Sequence, residues 1–553
     1  MNKTGNDIDV LIAGAGPVGL AAAIELGHRG IRCLVVERND RVGYSPRAKT
    51  TNVRSREHLR RWGIADALRA ASPIPPDYPP NVVFATRMNG HELARFGNAL
   101  NGSRARNDLY SEEAQWVPQY VLEEVLRQHA ASLPGVEIRF NTELASFADD
   151  GSSVVSRLKD VAGTATREVA SAYLIGADGA RSSVREAIGA SMEGEGAFSK
   201  NYNIIFRAPD LASRHAHGPA IMYWMVNEEV PSLLGPMDSE GLWFFMATKL
   251  ANDIDPATVD PVELIRRGTG LPDLDIEIVG RDPWVAHRLV ADRYEKGRVF
   301  LAGDACHLHP PFGGFGMNMG IGDAVDLGWK LAAVLQGWGG PELLASYAAE
   351  RRKVHERTIA EAVINYGDVG NQLVRPGLEE PGPRGDATRR EVGELIEATK
   401  LREFRTLGIV LGTRYKASPI IVPDGSAPPV EHFMLYVPSA HPGCLAPHLW
   451  LADGSSLYDH FGEGFTLLAT TGDGTDAAPL IAAAMRLSIP VKLLLPDDWR
   501  LRARYGARFA LIRPDQHVAW RGDAFPADCE ALLAIVTGRI RLEAAIGVPA
   551  TAA

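Results

Sequence analysis

The 553-residue chain holds only four cysteines, Cys33, Cys306, Cys444 and Cys529, with no CxxC pair and no metal-ligand spacing among them. That excludes a disulfide framework and dithiol chemistry, gives no reason to expect a metal, and points to reduced, core-packed thiols of a cytosolic protein. No uncharged apolar run approaches the roughly 18 residues needed to cross a bilayer. The N-terminus, MNKTGNDID, lacks the apolar stretch of a secretory signal. A soluble, cytoplasmic protein without a membrane partner is expected. Nor is there an excess of basic charge: 58 Lys and Arg against 68 Asp and Glu leave −10, which argues against nucleic acid as a partner. GxSxG, HExxH and the P-loop are missing too, so the sequence offers no hydrolase elbow, zinc-peptidase helix or triphosphate cradle.

What remains is ordinary globular material, 46% hydrophobic and 23% charged, long enough for three or four domain-sized units. Residues 8–30 read IDVLIAGAGPVGLAAAIELGHRG. The apolar run 8–13 predicts a buried strand, and Gly14, Gly16 and Gly19 a tight turn. A helix from Pro17 to about His28 and a second strand, IRCLVVE at 31–37, complete a βαβ unit. Glycines there let main-chain N–H groups approach a pyrophosphate at the positive end of the helix. Glu37 follows Gly19 by 18 residues, where its carboxylate can accept hydrogen bonds from a ribose and would repel a 2′-phosphate. The alternative, a glycine-rich turn beside a surface glutamate, does not explain the strand–turn–helix–strand context.

Further along, residues 81–111 are less regular, 117–133 read as a helix and 173–177 as a strand. Between 201 and 285 short aromatic runs, IMYWMV and LWFFMAT, alternate with turn signals and predict an antiparallel sheet. Residues 299–303 return to the buried-strand style, and 323–335 and much of 343–370 read as helices. Loop-like stretches at 375–386 and 417–430 follow, the second being the better boundary. Beyond it, strands at 465–470, 491–495 and 509–512 alternate with helical segments. There is no internal repeat and no low-complexity segment.

Three more segments decide the reading: GADG at 176–179, AGD at 302–304 and PPFGGFGMN at 310–318. With the first motif they make residues 8–411 resemble the group A flavoprotein aromatic hydroxylases, single-component FAD monooxygenases of the para-hydroxybenzoate and phenol hydroxylase type. The resemblance implies an α/β fold: a Rossmann-like FAD-binding domain with an inserted antiparallel-sheet substrate domain (α+β); separately, PHLWLADGSSLYDHFGEGFTLL and RFALIRPDQHVAWRG resemble the C-terminal thioredoxin-like domain of phenol hydroxylases, here lacking CxxC. In residues, 1–80 and 117–195 would be FAD-binding, 81–116 partly substrate domain and 196–285 the substrate sheet. Residues 286–415 would be FAD-binding and helical, and 430–553 the thioredoxin-like domain. It also implies FAD as cofactor, NADPH or NADH as co-substrate, a small aromatic substrate and dioxygen, with a homodimer as one assembly open to it.

Residue roles follow from the same resemblance. Gly14, Gly16 and Gly19 would face the FAD pyrophosphate, Glu37, with Arg38 beside it, the adenosine ribose, and Arg47 of SPRA the phosphates. Gln119 would lie near the ribityl chain, and Gly303 and Asp304 at the ribityl hydroxyls. Asp178 and Gly179 match a motif used for both FAD and NADPH; Arg181 and Arg185 either help there or form a solvated basic face. Gly316, Met317 and Asn318 would sit at the pyrimidine end of the flavin, just before a helix beginning near Gly320. That helix end would stabilise negative charge near N1 of the reduced ring. Pro310 and Pro311 would stiffen the loop on the other side of the ring. The implied reaction passes oxygen from a flavin C4a-hydroperoxide to an electron-rich ring, and needs no nucleophile triad.

The substrate end is thinner. By spacing, Gly235, Met237 and Phe245 fall near pocket positions of the family's sheet, and Met237 stands where para-hydroxybenzoate hydroxylases carry a carboxylate-binding arginine. This points to an uncharged or larger substrate, although a slip of one residue reverses every side chain. Trp224, Tyr223, Trp243 and Phe244 are further candidates, as are Pro311 and Phe312, with plain core packing the alternative for the strand aromatics. Lys49 is either a surface lysine or a group that assists phenol deprotonation. His287, His307 and His309 are either proton carriers or structural. Two other readings share the nucleotide motif. One is a flavin-dependent halogenase, whose WxWxIP segment is missing; the other is an FAD-containing binding or sequestration protein without hydroxylase turnover.

Overall fold

The computed structural model describes residues 7–40, 48–247, 258–310, 312–367, 373–472 and 474–542. Its first sheet runs Glu295–Lys296, Val299–Leu301, Thr166–Gly176, Ile8–Ala13, Cys33–Val36, Val136–Arg139. Ile8–Ala13 pairs in parallel with both neighbours, and the parallel order continues outward to Val136–Arg139 and Val299–Leu301. An antiparallel hairpin, Thr142–Asp149 with Val154–Asp160, hangs from Thr166–Gly176. Every residue of Cys33–Val36 is buried, as expected of a strand covered on both faces. The crossover helix Pro17–His28 packs on Gly316–Leu335 and Gln119–Ser132.

Helix Gly316–Leu335 begins at Gly316, not near Gly320. Its interior glycines have a packing reason. A Cβ on Gly320 would stand 2.5 Å from Val18 Cγ2, and one on Gly328 would stand 2.6 Å from Glu25 Cγ. They let two helices close on each other.

The second sheet runs His307–Leu308, Glu277–Ala291, Met192–Arg207, Leu242–Ala247, Ser232–Pro236, Met222–Met225, Val82–Ala85, Glu92–Phe96. Among the described residues its pairings are antiparallel except Met222–Met225 with Val82–Ala85. Strand alternation splits it into two faces. Tyr202, Tyr223, Trp243 and Phe245 pack beneath helix Pro261–Thr269 with Leu264 and Ile265. Phe84, Trp224, Phe244 and Met246 turn the other way, toward Phe312 and helix Pro383–Phe404.

The C-terminal sheet has the order Val491–Leu494, Phe465–Ala469, Phe509–Ile512, Val518–Gly522, its first pair parallel and the rest antiparallel. Helices Ala478–Arg486 and Cys529–Val536 cover one face in a core that also takes in Trp329, Ala333 and Trp338. The apolar interior therefore runs on from this domain into helix Gly316–Leu335. A buried charge cluster makes a second joint. Arg513 reaches Glu350 (2.6 Å), Asp326 (3.0 Å) and Asp515 (2.6 Å), while Lys330 bonds Asp326 (2.8 Å) and Glu350 (2.7 Å).

Candidate functional site

At the nucleotide end, Gly14 has φ +104°, and a Cβ there would lie 2.3 Å from the carbonyl oxygen of Ala177. A Cβ on Gly19 would lie 1.9 Å from the oxygen of Gly14. The turn thus requires glycine on steric grounds and brings the main chain to the surface of the cradle. Helix Pro17–His28 starts at Gly16 with no side-chain cap, leaving first-turn N–H groups for an anion. Glu37 is fixed beside the loop. Its carboxylate accepts hydrogen bonds from Ala15 N (3.1 Å), Asn39 N (2.9 Å) and Asn39 Nδ2 (2.6 Å). Arg38 is exposed next to it. Gln119 pins the neighbouring segment: its Oε1 accepts from Ala48 N (3.0 Å) while its Nε2 donates to Glu123 (2.7 Å). Arg47 and Pro311 lie outside the described residues.

Ser182 caps helix Ser183–Ala187, and Asp178 adds to its first turn, accepting from Ser183 Oγ (3.2 Å) and Val184 N (3.1 Å). Its Oδ1 is buried without a partner among the described residues, an acceptor that a ligand hydroxyl would satisfy. Gly179 follows at φ +83°. Arg185 is buried, not part of a solvated face, and ties this loop to the next through Ala305 O (3.2 Å) and Ala180 O (3.1 Å). Gly303 N donates to Asp323 (3.0 Å), leaving Asp304 exposed at the loop.

Beneath that loop, Asp323 also receives His307 (3.1 Å), His355 (2.8 Å) and Arg351 (2.7 Å). Burial alone would raise this carboxyl, but His355 and Arg351 hold it well below the usual range. The donor atoms of Cys306, His307, Asp323 and His355 lie within 4.8 Å of one another, a grouping hidden in the sequence because His355 comes from another helix. Arg351 already supplies the compensating cation, and the group serves as a hydrogen-bonded post under the loop.

At the flavin end, the first bond of helix Gly316–Leu335 is Met319 N to Phe315 O (2.8 Å), and Phe315 offers no side-chain cap. The N–H groups of Gly316, Met317 and Asn318 precede that bond and face outward from the helix end. The Asn318 side chain is not available to a ligand. It accepts from Asn52 N (2.9 Å) and donates to Thr50 O (2.9 Å) and Gly314 O (2.6 Å). It fixes the strand Thr50–Thr51 against the helix start. His309 donates from Nδ1 to Pro310 O (2.6 Å). Burial, helped by His307, draws its pKa down to about 4. It is therefore neutral near pH 7, and its buried Nε2 has no partner among the described residues.

The substrate end is built from several passes of the chain. Trp224, Met237, Phe244 and Phe312 share one buried cluster, with the Trp224 and Phe312 rings 6.0 Å apart. Phe245 packs on the opposite face of the sheet, under Gly268, whereas Phe244 lies on the face that meets Trp224 and Phe312. Gly235 pairs directly with Phe244 and gives its ring room: a Cβ there would lie 2.7 Å from Cε1. Lys49 is not a surface lysine. Its Nζ stands 4.2 Å from the Phe244 ring centroid, on the wall facing the sheet, and Trp116 leans on the same ring at 6.1 Å. Burial draws its ammonium down to about 8, with Asp282 acting in the opposite sense.

The cradle, the open helix ends and the orphaned Asp178 oxygen suit a bound dinucleotide. Comparison with known proteins agrees. Residues 7–362 match the FAD binding domain family and residues 439–539 the aromatic-ring hydroxylase C-terminal family. A putative polyketide hydroxylase of Streptomyces halstedii is 33% identical, covering 94% of each chain. Among solved structures, the rebeccamycin biosynthetic enzyme RebC with reduced flavin superposes with TM-score 0.88 at 37% identity, covering 96% of this chain and 99% of its own. Aklavinone-11 hydroxylase with FAD and aklavinone gives 0.83 at 32%, covering 98% and 100%. The chain belongs to the FAD-dependent aromatic-ring hydroxylases, flavoprotein monooxygenases with FAD as cofactor.

Proposed function

We propose that this protein hydroxylates a phenolic or polyketide-like aromatic substrate with dioxygen, taking electrons from NADPH or NADH in the same polypeptide. The observation that carries the reading is the buried aromatic cluster of Trp224, Met237, Phe244 and Phe312, of which Phe312 belongs to the segment leading into the uncapped N-terminus of helix Gly316–Leu335. The polyketide hydroxylase relative and the aklavinone-bound neighbour support a substrate of this kind. Bound FAD supplies the redox and oxygen-activating chemistry.

The chain's own residues do the rest. Gly14, Gly16 and Gly19 hold the pyrophosphate, Glu37 the ribose, and Asp178, Gly179, Gly303 and Asp304 the loops around the ribityl chain. The N–H groups of Gly316, Met317 and Asn318 stabilise negative charge at the pyrimidine edge. The aromatic walls orient the substrate ring and exclude water. Four buried thiols, none paired, support a reducing compartment such as the cytoplasm.

The test is NADPH and NADH oxidation by the purified yellow protein against a panel of simple and polycyclic phenols, with peroxide and product both quantified. Stimulated oxidation with a product heavier by one oxygen atom is expected. Bound FAD with no stimulated oxidation by any ligand would favour sequestration over hydroxylation.

A further inference from the structure

We infer that Lys49 anchors an ionised oxygen on the substrate ring, so that the substrate is bound as its phenolate; this deepens the hydroxylase reading and rests on it. The placement is fixed by the backbone. Lys49 O accepts from Val117 N (2.8 Å), and the next two residues, Thr50 and Thr51, pair with Trp116 and Gln115. The side chain crosses from this wall to the sheet and ends 4.2 Å from the Phe244 centroid. Phe244 clusters with Trp224, Met237 and Phe312. The ammonium therefore stands within the aromatic walls.

Its neighbours leave it short of a partner. Phe244 offers ring surface, whose quadrupole repays only part of the water a half-buried ammonium gives up. Among the described residues no carboxylate comes within ion-pair distance of Nζ. The charged group that acts on it is Asp282. Asp282 pairs with Asn203, which puts it on the same face of the sheet as Phe244 and Met246. Lys400 also approaches this cluster, 5.6 Å from the Trp224 centroid, but Glu403 already faces it at 3.8 Å; Lys49 is the cation left with ring surface and a more distant carboxylate. An aromatic oxyanion satisfies that arrangement better than a neutral hydroxyl does, because an ion pair gains strength where water is excluded.

The chemistry agrees with the need of the reaction. When Lys49 is the ammonium, the phenol O–H breaks and its proton leaves to water. When Lys49 is the amine, Nζ takes that proton. Either route ends in the same bound pair, ammonium and phenolate, with no electron transferred. The ionised oxygen then pushes electron density into the ring, and the ring is what must attack oxygen.

The test uses FAD-loaded protein without NAD(P)H and two phenols that change colour on ionisation, 4-nitrophenol and alizarin. In the wild type the bound dye should half-ionise at least about one pH unit below its value in water, a roughly tenfold preference for the anion. Lys49→Met should abolish the shift while flavin stays bound, and Lys49→Arg should keep it. Asp282→Asn should deepen it, and these two arms decide the matter if the methionine variant loses FAD. Equal ionisation of the bound dye in wild type and Lys49→Met, a shift unchanged by Asp282→Asn and lost in Lys49→Arg, or no binding of either dye would overturn the proposal. A dye shift without any hydroxylated product sinks the hydroxylase reading and leaves Lys49 in place; product without a shift does the reverse.

Discussion

Replacing Arg513 with methionine tests whether the C-terminal domain is a structural part of the flavin enzyme. The wild-type cluster sets two cations, Lys330 and Arg513, against three buried carboxylates, Asp326, Glu350 and Asp515. Burial pushes Glu350 up, but Arg513 and Lys330 bring its carboxyl down to about 2; burial lifts Asp326 to about 7 against the pull of Lys330. Arg513→Met leaves one cation against three carboxylates. Breaking a buried pair from one side costs about 3–5 kcal/mol, because the orphaned charges stay inside. At ~1.4 kcal/mol per tenfold, that is a fall of about 150- to 4,000-fold in the folding constant, a large part of the ~5–15 kcal/mol typical of a domain.

The sign of the pH dependence follows from Glu350. Its folded pKa lies below the unfolded value, so its contribution is full above about 4.3 and is lost as pH falls through about 2. In the variant the same carboxyl rises toward or above its unfolded value, and acid then relieves the strain. The gap between wild type and variant should be widest near pH 7 and narrow toward acid. Urea midpoints, read by circular dichroism and by flavin release, measure both; the two probes need not coincide in a multidomain chain. A loss under ~1 kcal/mol, or a gap that widens in acid, would refute the argument.

Gly19→Ala should weaken FAD retention at least about tenfold, since its Cβ would have to displace the Gly14 carbonyl it would meet at 1.9 Å; flavin content after gel filtration shows it. Asn318→Ala removes three hydrogen bonds joining Thr50, Asn52 and Gly314 to the helix start. A loss of about 2–4 kcal/mol in stability, with weaker flavin binding, is expected in a denaturation series of the holoprotein. Gly235→Val would meet Ile221 O (2.4 Å) as well as Phe244 Cε1 (2.7 Å), so it should shift both the strand edge and the ring and raise KM for the aromatic substrate severalfold with FAD content unchanged; loss of flavin would contradict the separation of the two ends of the site.

The two ends of the site differ in how far the sequence reveals them. The cofactor end is made from contiguous motifs. Each joins a strand to a turn or helix, and its glycines are forced by local sterics, as at Gly14 and Gly19. Even there, glycine hid the true start of helix Gly316–Leu335. Its low helix propensity is overridden by close packing on Val18 and Glu25, which no local pattern records. The substrate end is a meeting of distant segments. Whether Phe244 or Phe245 faces the pocket depends on register, which is set by the pairing of Gly235 with Phe244 and not by the aromatic run itself. Lys49 sits in a polar-looking stretch, and only the sheet arriving from residues 242–247 shows that it is covered. Arg513 reads as a turn residue after a strand; the carboxylates that bury it lie on helices Gly316–Leu335 and Pro341–Gly367. Cofactor chemistry is therefore legible as text because a dinucleotide is held by main chain. Substrate recognition is not, because it is held by side chains whose direction is a tertiary fact. Measurements that separate flavin retention from ligand ionisation follow that physical division, and can fail at one end without failing at the other.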